Sequence, residues 1–127
     1  MSKIVLFDVD GTVEIAGEPF KPLVALSQLY EKAGYLNVVA TGRLEEHRKL
    51  TEDFFRACKF RYHALLMRPS DDLKVGEWKY DAIETFLKRE GYDFSDIEIA
   101  YENHLKRAKQ WDKLGVPSLL VYGEELQ

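Results

Sequence analysis

The chain has 127 residues, of which 46% are hydrophobic, so it is the size of one ordinary domain and can bury a core; disorder is not expected. Its net charge of −4, with the two signs interleaved, argues against gripping long nucleic acid by charge alone but leaves room for handling a nucleic-acid end. The single cysteine, Cys58, permits no internal disulfide. No secretory leader and no apolar run of about 18 residues is visible. The expectation is one domain over 1–127, cytoplasmic, with no membrane partner.

The first predicted element is Ile4-Val5-Leu6-Phe7, an unbroken apolar run that reads as a strand buried on both faces of a parallel sheet. It runs into Asp8-Val9-Asp10-Gly11-Thr12. Residues two apart in a strand project to the same side, so the two carboxylates can face one point roughly 6–7 Å apart. Gly11 then allows a sharp turn. Such a pair repels unless a cation lies between its members, and with no Cys or His cluster nearby a hard ion such as Mg²⁺ suits it.

A short loop, Val13 to Pro19, precedes a helix over Phe20 to Ala33, with Leu23, Leu26, Tyr30 and Ala33 on one face. Tyr35 to Ala40 is a second strand, ending in Thr41-Gly42-Arg43 at the head of a second helix, Leu44 to Cys58. The inner side of that helix reads as Leu44, His47, Phe54 and Cys58. Ala64 to Met67 is a third strand, broken by Arg68-Pro69-Ser70-Asp71-Asp72. A third helix runs from Glu77 to Glu90, with Ile83, Phe86 and Leu87 inward and Gly91 as its stop. Ile97 to Tyr101 is a fourth strand, followed by Glu102-Asn103-His104. Leu105, Ala108 and Trp111 mark a fourth helix, and Ser118 to Tyr122 a fifth strand.

Five strands alternating with four helices predict an α/β fold, a three-layer αβα arrangement around a parallel sheet. Ligands in such folds bind beyond the carboxyl ends of the strands, where the polar triplets accumulate. The inventory suits hydrolysis of a phosphomonoester, which needs a nucleophile, a proton donor and cations for its charge. Asp8 is the candidate nucleophile, forming an aspartyl-phosphate, and Asp10 the candidate acid and base. Thr41 and the Gly42 amide are candidate phosphate donors, with Gly11 and Thr12 beside them. Lys79 would neutralise Asp8 and the phosphate, with Lys74 as its rival. Asp8, Asp10, Glu102 and Asn103 are the candidate Mg²⁺ ligands. Each residue also has a plainer reading: a turn, a helix cap, a solvated lysine. Trp78, Tyr80 and Trp111 could stack on a base, although packing explains them as well. The three histidines are isolated from one another, and no zinc site is expected.

Asp8-Val9-Asp10-Gly11-Thr12, then Thr41-Gly42-Arg43, then Lys79, then the acidic pair after the fourth strand, resemble in order the motifs of the haloacid dehalogenase (HAD) superfamily. The resemblance implies a Rossmann-like sheet of order 5-4-1-2-3, Mg²⁺ as cofactor and the aspartyl-phosphate route. The gaps from Thr12 to Phe20 and from Arg68 to Lys79 are too short for a cap domain. The stretches Val38-Val39-Ala40-Thr41-Gly42-Arg43 and Leu66-Met67-Arg68…Asp72…Lys79 are similar to the 3′-phosphatase domain of bacteriophage-type polynucleotide kinases. That similarity implies phosphate-serving roles for Arg43, Arg68 and Asp72, and a phosphorylated nucleic-acid end as substrate. The chain departs from that family at Glu102 and Asn103, where two aspartates are usual, and at His104, where an arginine is. A small phosphorylated metabolite or 5′-nucleotide is the alternative substrate. A phosphoacceptor or phosphate-binding domain is the non-enzymatic alternative, though a response-regulator domain carries its aspartate after the third strand.

Overall fold

The computed structural model describes residues 3–121. The central strand β1 (Ile4–Phe7) is fully buried, as its unbroken apolar run predicts. After it the chain makes a two-stranded antiparallel hairpin, β2 (Glu14–Ile15) and β3 (Glu18–Pro19), where the sequence suggests only a loop. Ala16 and Gly17 form its turn with φ of 53° and 82°, the positive pair that a tight hairpin demands. Ala16 hides the hairpin from sequence reading, because alanine rarely adopts that conformation.

Helix α1 (Lys21–Lys32) carries Pro22 in its first turn and buries Leu23, Val24 and Ser27, while Ala33 is exposed. Strand β4 (Leu36–Leu44) runs four residues beyond the predicted end at Ala40. Helix α2 (Arg48–Cys58) follows a short 3₁₀ turn, Glu45–His47. Thr41 and Gly42 therefore lie within a strand and not at a helix head. Thr41 pairs with Met67, and the register shifts between Thr41 and Leu44. The inward residues of α2 are Thr51 and Phe55, with Phe54 and Cys58 partly buried; His47 is exposed. Phe54 and Cys58 of the expected face thus pack against the core, and His47 does not.

Strand β5 (Ala64–Arg68), helix α3 (Val75–Glu90), strand β6 (Ile97–Glu102), helix α4 (Leu105–Lys113) and strand β7 (Ser118–Leu120) complete the alternation. Helix α3 begins two residues earlier than expected. Tyr122, the predicted last strand residue, lies outside the described residues. All pairings in the five-stranded sheet are parallel, in the order β5-β4-β1-β6-β7. These labels differ from the expected 5-4-1-2-3 because the hairpin takes two numbers. Counted over the sheet alone, the strands run third, second, first, fourth, fifth, which is the expected succession seen from the opposite edge.

Alternate residues of β1 feed two cores. Val5 and Phe7 pack with Leu23 and Val24 of α1 and Phe55 of α2. Ile4 and Leu6 pack with Ile83 and Leu87 of α3 and Trp111 of α4. The helices thus cover both faces, giving three layers. Phe7 stacks on Tyr101 at 5.2 Å and meets Phe60 edge-on at 5.1 Å, which fixes the end of the strand before Asp8.

Candidate active site

The carboxyl edge of the sheet gathers the ends of β1, β4, β5 and β6 with the first turns of α3. Asp8 directly follows β1, and its amide donates to the Tyr101 carbonyl of β6 at 3.1 Å, so the strand ladder fixes its backbone. Lys79, in the second turn of α3, is only 3% exposed. Its Nζ donates to Asp8 Oδ1 at 3.0 Å and lies 3.5 Å from Glu102 Oε2. Glu102, the last residue of β6, is 2% exposed. Three charged side chains from three elements therefore meet in a nearly dry place.

One lysine faces two carboxylates, and the electrostatics follow from that imbalance. Burial by itself would lower the Lys79 ammonium, but Asp8 and Glu102 outweigh it and hold the group above its ordinary value. Glu102 is pushed up to about 7, first by burial and then by the neighbouring charge of Asp8, while Lys79 opposes the rise. The site is short of positive charge.

Asp10 stands at the mouth, with 64% of its side chain exposed. Arg43 grips it with two nitrogens, Nη2 at 2.7 Å and Nε at 3.0 Å. The same guanidinium lies 3.0 Å from Glu14 Oε2 and donates to Thr51 Oγ1 at 3.2 Å. This bidentate pairing holds Asp10 to the rim. Strand β1 ends at Phe7 and the chain is already turning at Val9, whose carbonyl accepts from the amides of Thr12, Val13 and Glu14. Among the described residues, no three Asp, Glu, His or Cys side chains come together as a metal cage.

Gly11 adopts φ +79°, its amide donates to the Glu14 carbonyl at 2.8 Å, and the Asn103 side chain lies where a Cβ would project. The first and fourth motifs touch at this point. The buried Thr12 Oγ1 has no hydrogen-bond partner within the described protein. Thr41 is fully buried and accepts from the Arg43 amide at 3.2 Å. A Cβ on Gly42 would stand 2.8 Å from Val75 Cγ1, so the glycine lets the start of α3 close on β4. Arg68 is held by backbone carbonyls. Its Nε donates to the Gly42 carbonyl and its Nη1 to the Leu73 carbonyl, both at 2.8 Å, so it braces two loops. Asp72 is exposed, and Lys74 is the exposed residue that precedes α3.

Three contributors escape the sequence reading. Glu14 and Thr51 fix Arg43, and no local pattern marks either. Arg107 of α4 lies near enough for its charge to lower both Lys79 and Glu102. The basic run Lys106-Arg107…Lys109 is the signal available for it. Trp111 and Tyr80 serve packing: Trp111 is buried, and Tyr80 stacks on Phe94 at 5.6 Å.

No protein-family model matches the chain, and no curated protein matches it. Solved structures do match. A chain from the structure of the Pnkp1/Rnl/Hen1 complex superposes with a TM-score of 0.83 at 23% identity, covering 98% of this chain and 47% of that one. A chain from the structure of the Pnkp1/Rnl/Hen1 RNA repair complex gives 0.79 at 24% identity, covering 97% and 43%. An uncharacterized protein from Corynebacterium glutamicum gives 0.64 at 10% identity, covering 99% and 89%. This chain thus spans less than half the length of the two RNA-repair chains, and at these identities the likeness is one of fold.

Proposed function

We propose that the chain is a Mg²⁺-dependent phosphomonoesterase of the HAD type, working through an aspartyl-phosphate on a phosphorylated nucleic-acid end, the 3′-phosphate foremost. The observation that carries this reading is the buried Asp8–Lys79–Glu102 cluster at the carboxyl end of the central strand. A desolvated carboxylate oriented by a lysine is a nucleophile held ready, and its position is where open α/β sheets bind ligands. The fold it shares with chains of an RNA repair complex supports the choice of a nucleic-acid substrate.

The donors available fit Mg²⁺. They are all oxygens, and the Asp8–Glu102 pair has more negative charge than Lys79 offsets. Mg²⁺ keeps several waters and asks for only one or two carboxylates, so the lack of a three-carboxylate cage among the described residues is compatible with it. Asp8, Asp10, Glu102 and Asn103 would hold it, and it would supply positive charge to the phosphoryl oxygens.

In the reaction, Asp8 attacks phosphorus while the bond to the leaving oxygen breaks. Asp10 gives that oxygen its proton. Asp10 then takes a proton from water, which attacks the phosphorus of the aspartyl-phosphate, releasing inorganic phosphate and free Asp8. Asp10 must first leave Arg43. The phosphate provides the exchange, because Arg43 can pair with it bidentately while Glu14 keeps its own place on the guanidinium. Lys79 stays on Asp8 and screens the approach of a dianion. Thr12 and Thr41 hydroxyls and the Gly42 amide would hold phosphoryl oxygens.

The test is a panel of 3′-phosphorylated oligonucleotides, mononucleotides and sugar phosphates, with and without Mg²⁺. Mg²⁺-dependent release of phosphate with a preference for the oligonucleotides is expected. A preference for sugar phosphates or 5′-nucleotides would overturn the substrate, and a stable phosphoprotein without turnover would overturn the enzymatic reading.

A further inference from the structure

Resting on the activity proposed above, we infer that the cleft between the start of α3 and the exposed face of α4 is the track along which a single-stranded nucleic acid lies, its phosphodiesters on Lys74, Lys106, Arg107 and Lys113. Eight of the 18 lysines and arginines of this acidic chain are already paired. Arg43, Arg48, Lys49, Arg56, Arg61, Lys79, Lys88 and Arg89 all face carboxylates within 4 Å. Among the described residues, Lys74, Lys106, Arg107, Lys109 and Lys113 pair with none. Lys3, Lys21, Lys32, Lys59 and Arg68 also face no carboxylate among the described residues but are spread over the rest of the chain, whereas four unpaired cations share α4, with Lys74 on the loop opposite it.

That charge lines a channel. Lys74, Lys106, Arg107 and Gln110 border a cavity of about 210 Å³, and Gln110 and Lys113 border a second of about 350 Å³ that continues it along α4. Lys106, Gln110 and Lys113 follow at helical spacing on one face, about 10 Å from end to end. Among the described residues, the only carboxylate on these walls is the exposed Glu77. Asp112, the one acid of α4, is turned to accept from Ser118 Oγ at 2.9 Å.

Arg107 links the channel to the chemistry. It borders the first cavity, its Nε is buried without a hydrogen-bond partner among the described residues, and its charge reaches Lys79 and Glu102. The groove on the other side of the mouth is a poor rival. It holds about 640 Å³ between Arg43, Leu50 and Phe54, but Glu14 and Asp53 line it and Arg43 is already neutralised there. A polyanion is drawn to the α4 side.

The test compares the full chain with the Lys106→Glu/Lys113→Glu double variant on a 3′-phosphorylated ten-nucleotide strand and on p-nitrophenyl phosphate. Each phosphate that the protein ceases to neutralise takes about 0.7 off the slope of log affinity against log salt for single strands. The expected result is a KM for the strand raised at least tenfold with a flatter salt dependence, while turnover of the small ester stays within twofold. The neutral pair Lys106→Gln/Lys113→Gln should give an intermediate rise, and it replaces the reversal if that variant fails to fold. An unchanged KM overturns the inference. If neither substrate is hydrolysed, the proposed activity fails, and anisotropy of an unphosphorylated labelled strand decides the cleft by itself: tenfold weaker binding in the variant supports it, equal binding overturns it. A polyglutamate of matching charge that competes as well as the strand overturns the assignment to nucleic acid.

Discussion

Lys79 occupies the position whose loss has the largest expected cost to the fold. Lys79→Met keeps the size of the side chain but leaves Asp8 and Glu102 facing one another without a cation. Breaking a buried pair in this way costs about 3–5 kcal/mol, which urea unfolding would register as a lower midpoint with an unchanged slope. Asp8→Asn is the contrasting case. It retains the shape and removes one of two like charges, so the fold should survive while turnover of a chromogenic phosphate ester disappears; activity within tenfold of the parent would rule out Asp8 as nucleophile. Glu102 supplies a pH signature in metal-free protein. Its carboxyl holds a proton up to about 7 in the folded chain against an ordinary value of 4.5. The folded state therefore binds the proton more tightly. Its contribution to stability is complete below 4.5 and is lost as the pH rises through about 7. Thermal unfolding between pH values of about 4.5 and 7.5 should show this decline in the parent and a flatter profile in Glu102→Gln.

At the scale of the element, two backbone positions control how well the site is built. The Ala16-Gly17 turn places an alanine at φ 53°, where asparagine is at home. Ala16→Asn should stabilise the chain by roughly 0.5–1 kcal/mol, seen as a rise of a few degrees in Tm. Gly42→Ala acts the other way. Its methyl would meet Val75 at 2.8 Å and push the first turn of α3 outward, and Lys79 would move with it. Lower turnover is expected, with partial rescue by Val75→Ala; a fully active Gly42→Ala would mean that α3 can shift without disturbing Asp8. The sequence tells much about these elements and little about their ends. Strand β1 is legible because both of its faces are apolar, and α3 because Ile83, Phe86 and Leu87 share a face ending at Gly91. The extension of β4 through Thr41-Gly42-Arg43 is not, since a strand that pairs with β5 across a register shift has no local signature.

For the whole molecule, the order of strands brings residues 8–12, 41–43, 68, 79 and 102–103 to one edge, and that much follows from alternation of strand and helix. What the edge does with them depends on long-range pairs. Arg43 holds Asp10 at the rim, Arg68 donates to two backbone carbonyls, and Arg107 arrives from α4. None of these choices can be read from neighbours in sequence, because each is decided by which charge is nearest after folding. The same holds for the uneven spread of cations: a net charge of −4 conceals a basic helix. Binding of a single strand should therefore weaken steeply with salt even though the protein is acidic overall, and a salt-independent affinity would contradict that account.

The covalent intermediate is the claim most open to direct test. Acid quench of the enzyme during turnover of a 3′-phosphorylated oligonucleotide, followed by borohydride reduction and peptide mass measurement, converts an acyl-phosphate at Asp8 into homoserine. The account predicts that product in the peptide containing Asp8, and only when both Mg²⁺ and substrate are present. Steady turnover with that peptide unmodified, or with the modification on Asp10 instead, would contradict it.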